Sequence, residues 1–127
     1  MSRLDHLRYS SEIRRVYSSG RRFDGKLITV FARPNGLDTH RFGITASRKA
    51  VGNAVQRNRA KRLVREAFRL NAEALQGLRF RYDYVFNARR SLLEQKAAAV
   101  IQELRGIIER ISGAEDRRTE DGQAAVK

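Results

Sequence analysis

The sequence predicts a single α+β domain in two layers, a sheet covered by helices, and three observations lead there. Apolar residues recur at helical spacing in three segments and alternate with period two in others. The helical segments each carry an apolar stripe able to cover a sheet face. At 127 residues the chain can bury one core and is too short for two ordinary ones.

Ser10 reads as an N-cap before Ile13, Val16 and Tyr17, and Gly20 stands where a helix would stop, which predicts a first helix over 10–19. From Lys26 to Arg33 the pattern alternates, with Ile28, Val30 and Ala32 on one face and Leu27, Thr29 and Phe31 on the other. Pro34, Asn35 and Gly36 form a turn, and Arg41 to Ser47 alternates again, with Phe42, Ile44 and Ala46 opposite Arg41, Gly43 and Thr45. These two strands are expected to pair as a hairpin. Residues 53–70 contain no Gly or Pro, and Ala60, Leu63, Val64, Ala67 and Phe68 form a core-facing stripe of a long helix. Tyr82 to Arg89 is aromatic and apolar enough for a further strand. Leu93, Ala97, Val100, Ile101, Leu104, Ile107, Ile108 and Ile111 place a last helix over about 92–111. Beyond Ser112 and Gly113 the chain is polar without a period, so the expected domain is 1–111 and the expected disordered tail 112–127. The element order is helix, strand, strand, helix, strand, helix.

A net charge of +13 implies a polyanionic partner. Residues 40–70 hold nine of the cations, Arg41, Arg48, Lys49, Arg57, Arg59, Lys61, Arg62, Arg65 and Arg69, against the single acid Glu66. On the 53–70 helix, Asn58, Arg62, Arg65 and Arg69 share a face opposite the apolar stripe, with Lys61 at its border. A merely solvated helix face interleaves acids with bases at i,i+4, whereas Arg57, Lys61 and Arg65 are stacked at that spacing with no acid between them. An external anion relieves such repulsion. Arginine's planar fork matches phosphate oxygens, which favours structured nucleic acid over a lipid surface. Tyr17 and Phe31 offer a second surface where unpaired bases could stack, although their spacing fits core packing equally well.

Catalytic patterns are missing from the sequence. The acids are scattered, with no convincing metal-binding or general acid/base pair, and cysteine is absent. His6 and His40 fit surface or structural roles. No apolar run long enough for a membrane span and no secretory leader is seen, so a cytoplasmic location without membrane contact is the expectation.

Residues 41–69, RFGITASRKAVGNAVQRNRAKRLVREAFR, closely resemble the ribonuclease P protein family. The match comprises the turn Ser47, Arg48, Lys49, then Gly52, Asn53, Ala54 and Val55, then the block Arg57, Asn58, Arg59 followed by Lys61, Arg62 and Arg65. A looser similarity covers about 4–111. The resemblance implies a two-layer α/β sandwich, like the second domain of a small-subunit ribosomal protein. In it the helix carrying this block would join two parallel strands by a left-handed crossover, against the usual hand. It implies binding of a catalytic RNA through Arg48, Lys49, Asn53, Arg57, Asn58, Arg59, Lys61, Arg62 and Arg65. It further implies that the 5′ leader of precursor tRNA is held in a cleft matched here by Ile13, Tyr17 and Phe31, with Arg14 and either Lys26 or Arg33 nearby as candidate phosphate contacts. Ile13 stands where the family often has an aromatic residue. The implied chemistry is endonucleolytic removal of the leader with Mg²⁺ bound by the RNA, no cofactor in the protein and no obligate protein partner.

Two alternatives stand beside this. A ribosomal protein or general RNA chaperone would share the size and charge but would not prefer precursor over mature tRNA. A stand-alone nuclease or DNA-binding module would use the arginine helix in a major groove, and a nuclease would cleave without added RNA.

Overall fold

The computed structural model describes the backbone of residues 5–7 and 9–125, and the side chains of these up to Arg117 apart from Asp5. Its elements are β1 (Asp5–His6), α1 (Ser10–Ser19), β2 (Arg21–Asp24), β3 (Ile28–Pro34), β4 (Arg41–Thr45), α2 (Ala54–Leu70), α3 (Ala72–Gln76), β5 (Tyr82–Ala88), a 3-10 turn (Arg90–Glu94) and α4 (Ala97–Ala125). The expected α+β class holds, with every expected strand and helix present.

The five strands form one sheet in the order β1-β4-β5-β3-β2. The expected hairpin between the second and third expected segments does not form. Instead β5 lies between them, antiparallel to β3 and parallel to β4. The reason is burial: six of the seven β5 residues are buried, so this strand needs cover on both faces and belongs at the sheet centre. The parallel β4–β5 pair requires a crossover, which α2 supplies. β3 makes its hairpin with β2 instead. The sequence reading missed β2, since RRFD buries only Phe23, and also the two-residue β1 and the short α3.

Alternation divides the side chains. Ile28, Val30, Ala32, Phe42, Tyr84 and Phe86 face α2 and α4, meeting Val64, Phe68, Leu104, Ile107 and Ile111 in the main core. Phe68 sits fully buried at its middle, with ring centroids 4.7 Å from Phe42 and 5.4 Å from Phe86. The opposite face is only partly covered, by α1, where Leu7, Val16 and Val85 are joined by half-buried Ile13, Tyr17 and Phe31.

Helix ends also depart from expectation. Ser10 is the first helical residue rather than the cap. Tyr9 caps α1, and the Glu12 carboxylate reaches back to accept the Tyr9 N–H at 3.3 Å. Gly20 caps α1, its N–H on the Val16 carbonyl at 2.7 Å, and a Cβ there would collide with that carbonyl. The last helix begins at Ala97, after the 3-10 turn, and runs through Ser112 and Gly113 to Ala125. Residues 112–117 therefore extend the domain instead of opening a disordered tail. Ala114 and Glu115 are buried, and the Glu115 carboxylate accepts the Arg79 and Phe80 N–H groups and the Tyr82 hydroxyl at 3.0, 3.2 and 2.7 Å. Residues 1–4 and 8 of the expected domain, and 126–127 of the expected tail, lie outside the described residues.

Candidate nucleic-acid interface

The cationic surface starts from a well-built helix start. Asn53 caps α2, its side chain accepting the Gln56 N–H at 2.9 Å while Gln56 Oε1 accepts the Asn53 N–H at 2.9 Å. Gly52, at φ +135°, takes a conformation that side-chain-bearing residues avoid. Fully buried Val51 and the bond from its N–H to the Ser47 carbonyl (2.8 Å) pin the preceding turn, leaving Arg48 and Lys49 exposed. The turn thus puts two cations beside the positive end of the helix dipole, and no acid occupies the first turn of α2.

Along α2, Asn58, Arg59, Arg62 and Arg65 are exposed, Arg57 and Lys61 half-buried, while Ala60, Val64, Ala67 and Phe68 anchor the other side. Among the described residues, none of Arg48, Lys49, Arg57, Arg59, Lys61, Arg62 and Arg65 forms an ion pair. Arg57 Nε is buried without a hydrogen-bond acceptor, an unmet donor in the middle of the patch. Arg69 differs: Glu66 takes its guanidinium at 2.7 Å, so the cationic run ends there. The expected cations and Asn58 therefore share one continuous surface, whereas the Asn53 carbonyl oxygen is occupied by capping.

The second expected surface lies across the sheet. Tyr17 and Phe31 meet edge to face, centroids 4.9 Å apart, and both remain half-exposed, so they pack and also line an open edge. The Tyr17 hydroxyl donates to Asn87 Oδ1 at 2.6 Å and lies 3.3 Å from Thr45 Oγ1. Ile13 packs toward Gly43, where a Cβ would lie 3.6 Å from its Cδ1. Arg33 Nε donates to Ser19 Oγ at 2.8 Å at the C-terminal end of α1, and Arg14 is exposed on the same helix. Lys26 is not tied to this group. It sits in the β2–β3 turn, its N–H held by Glu103 of α4 and its carbonyl accepting from Ser91.

Four residues on this face escaped the sequence reading. The Arg22 guanidinium lies 5.7 Å above the Phe31 ring, and Arg89 donates to Thr29 Oγ1 at 2.8 Å, while Thr45 and Asn87 flank the Tyr17 hydroxyl. Asn87 carried a readable signal, a polar residue that shares one alternation face of β5 with Asp83. The N-terminal end of α1 is held by Arg41, which donates to both Asp83 oxygens (2.9 and 2.7 Å) and to Glu12 (3.1 Å). Hydrogen bonding to Asp83 raises the Arg41 pKa further.

His40 is structural. Its Nδ1 accepts the Tyr82 N–H and its Nε2 lies on the Leu75 carbonyl, each at 3.0 Å, and burial lowers its pKa below 6.5. Among the described residues, no three His, Cys, Asp or Glu side chains are grouped to hold a metal ion, and no helix is long and apolar enough to cross a membrane.

Comparison with known proteins places this geometry. The model of the ribonuclease P family matches residues 1–112. The ribonuclease P protein component of Caldanaerobacter subterraneus is 42% identical over 93 residues, covering 72% of this chain and 76% of that protein. That of Chromobacterium violaceum is 34% identical over 110 residues, covering 87% and 88%. The solved ribonuclease P protein of Thermotoga maritima superimposes with a TM-score of 0.72 at 30% identity, over 84% of this chain and 96% of that one. The Staphylococcus aureus protein shares the fold with the same TM-score at 24% identity, over 86% and 96%. With its cationic crossover helix and a family match over nearly all of its length, this chain belongs to the ribonuclease P protein family.

Proposed function

We propose that this chain is the protein subunit of ribonuclease P, binding the catalytic RNA through α2 and the 5′ leader of precursor tRNA between α1 and the sheet. The observation that carries the reading is the run of cations from Arg48 to Arg65, on α2 and its preceding turn, none of which forms an ion pair among the described residues. Like charges held that close cost stability in the free protein, and phosphate groups relieve the cost.

In this reading Arg48, Lys49, Arg57, Arg59, Lys61, Arg62 and Arg65 lower the repulsion between two RNAs that must meet, so less Mg²⁺ is needed. Metal ions held by the RNA supply the hydrolytic chemistry. The chain's residues bind and orient. Tyr17 and Phe31 offer ring faces and edges to unpaired leader bases, and Arg14, Arg33 and Arg22 offer charge to the leader phosphates. Contact with the leader distinguishes precursor from mature tRNA.

Reconstitution tests this with precursor tRNA, a bacterial ribonuclease P RNA transcript and the full chain, at Mg²⁺ too low for the RNA alone to cut efficiently. Correct 5′ cleavage that needs both components is the expected result. Binding without stimulation would favour a ribosomal or chaperone role, and cleavage by the protein alone would refute the placement of the chemistry in the RNA.

A further inference from the structure

A second basic surface lies at the edge strand β2, on the side that faces α4. α2 packs on β4 and β5, whereas α4 reaches the edge strand β2 at the other end of the sheet order. Between β2 and α4 runs an open groove bordered by Arg21, Arg110 and Arg117, with Glu109 the single acid on its lining. Arg22 also lines the groove, although its guanidinium lies 5.7 Å over the Phe31 ring on the other face of the sheet.

The three guanidiniums are held differently. Arg110 is fixed, stacked 5.6 Å over the Phe23 ring and donating to the Asp24 carbonyl at 2.9 Å. Arg21 and Arg117 form no ion pair among the described residues. Protection of an exposed edge strand accounts for a charge at Arg21. It does not account for two arginines on the facing helix, nor for the groove floor. Gly106 and Gly113 border the groove one heptad apart, and glycine weakens a helix interior. Packing does not demand either: a Cβ at Gly106 would meet nothing within 4 Å, and one at Gly113 only the Arg117 guanidinium at 3.8 Å.

We propose that this groove is a second phosphate-binding surface, which grips the sugar-phosphate backbone of RNA independently of α2. Three arginines suit phosphate forks. Among the described residues the exposed large apolar ones, Tyr9, Leu37, Val55, Leu70 and Phe80, all lie outside the groove and give it no anchor for a bilayer.

The test measures binding of a ribonuclease P RNA transcript to the full chain across a salt series, with folding checked by circular dichroism. Arg21→Ala with Arg117→Ala removes two side chains that form no ion pair among the described residues. The expected result is weaker binding and a loss of about one to two units of salt slope, at roughly one per phosphate contact. Gly106→Glu, which places an acid in open space on a better helix former, weakens binding, while Gly106→Ala leaves it unchanged. An unchanged slope in the double variant overturns the proposal, even if Arg62→Ala with Arg65→Ala flattens the slope and so upholds the α2 interface. Loss of binding to phosphatidylserine vesicles with RNA binding intact would assign the groove to lipid and overturn it equally.

Discussion

Glu103 on α4 organises the β2–β3 turn, and its removal gives a prediction with a structure-based magnitude. Its Oε1 accepts the Lys26 N–H at 3.0 Å, and its Oε2 accepts those of Leu27 and Ile28 at 2.8 and 2.9 Å. Leu27 and Ile28 are buried, Lys26 exposed. Glu103→Ala leaves two sheltered N–H groups without an acceptor, at about 1–3 kcal/mol each, while water can solvate the third. The expected loss is about 3 kcal/mol, or about 10 °C in melting temperature for a domain of this size. Glu103→Gln keeps one carbonyl oxygen, which can serve Leu27 and Ile28, and turns its NH₂ toward the exposed Lys26 N–H; about 1 kcal/mol is expected. Gly25→Ala attacks the same contact, because its Cβ would collide with the Glu103 carboxylate and lie 2.8 Å from the Ile28 carbonyl. Its cost should be smaller in the Glu103→Ala background than in the natural chain, since the two changes share a partner. Urea and thermal unfolding of the four variants measure all of this. Equal losses for Gln and Ala, or a loss below about 1 kcal/mol for Ala, would refute the view that the carboxylate is the turn's acceptor.

Arg62→Ala with Arg65→Ala should weaken binding to the catalytic RNA and lower its salt slope by roughly one to two units, read from a salt titration; an unchanged slope would remove those side chains from the phosphate contacts. Tyr17→Ala should reduce affinity for precursor tRNA by about 1–3 kcal/mol while sparing mature tRNA, and equal losses for both would disconnect Tyr17 from the leader. His40 predicts a pH dependence. Burial lowers its folded pKa below the ordinary 6.5, so the unfolded chain takes up a proton that the folded chain resists. Its contribution is complete above about pH 6.5 and is lost as pH falls through the window below, with a slope of at most about 1.4 kcal/mol per unit. His40→Gln should flatten melting temperature against pH between 7 and 5, and an unaltered profile would contradict the assignment.

Sequence by itself determined the class of the fold, the helix α2 and its cationic face. The α2 patch was legible because it is local: one helix with a fixed period brings together residues three and four apart, and Asn53 to Arg65 are contiguous. The same locality placed α1 and β5 to within a residue or two. Tertiary structure decided what depended on distant pairing. β5 entered between β3 and β4 because its double-sided burial required the sheet centre, a competition that the turn at Pro34 to Gly36 does not reveal. β2 formed because β3 offered an edge, although RRFD has only Phe23 to bury. α4 continued past Gly113 because Glu115 found three hydrogen-bond partners near residues 79–82, which outweighed a polar local sequence. Tyr17 and Phe31 met Asn87, Thr45 and Arg22 only once four strands had aligned, so that face and the β2–α4 groove belong to the fold rather than to any segment.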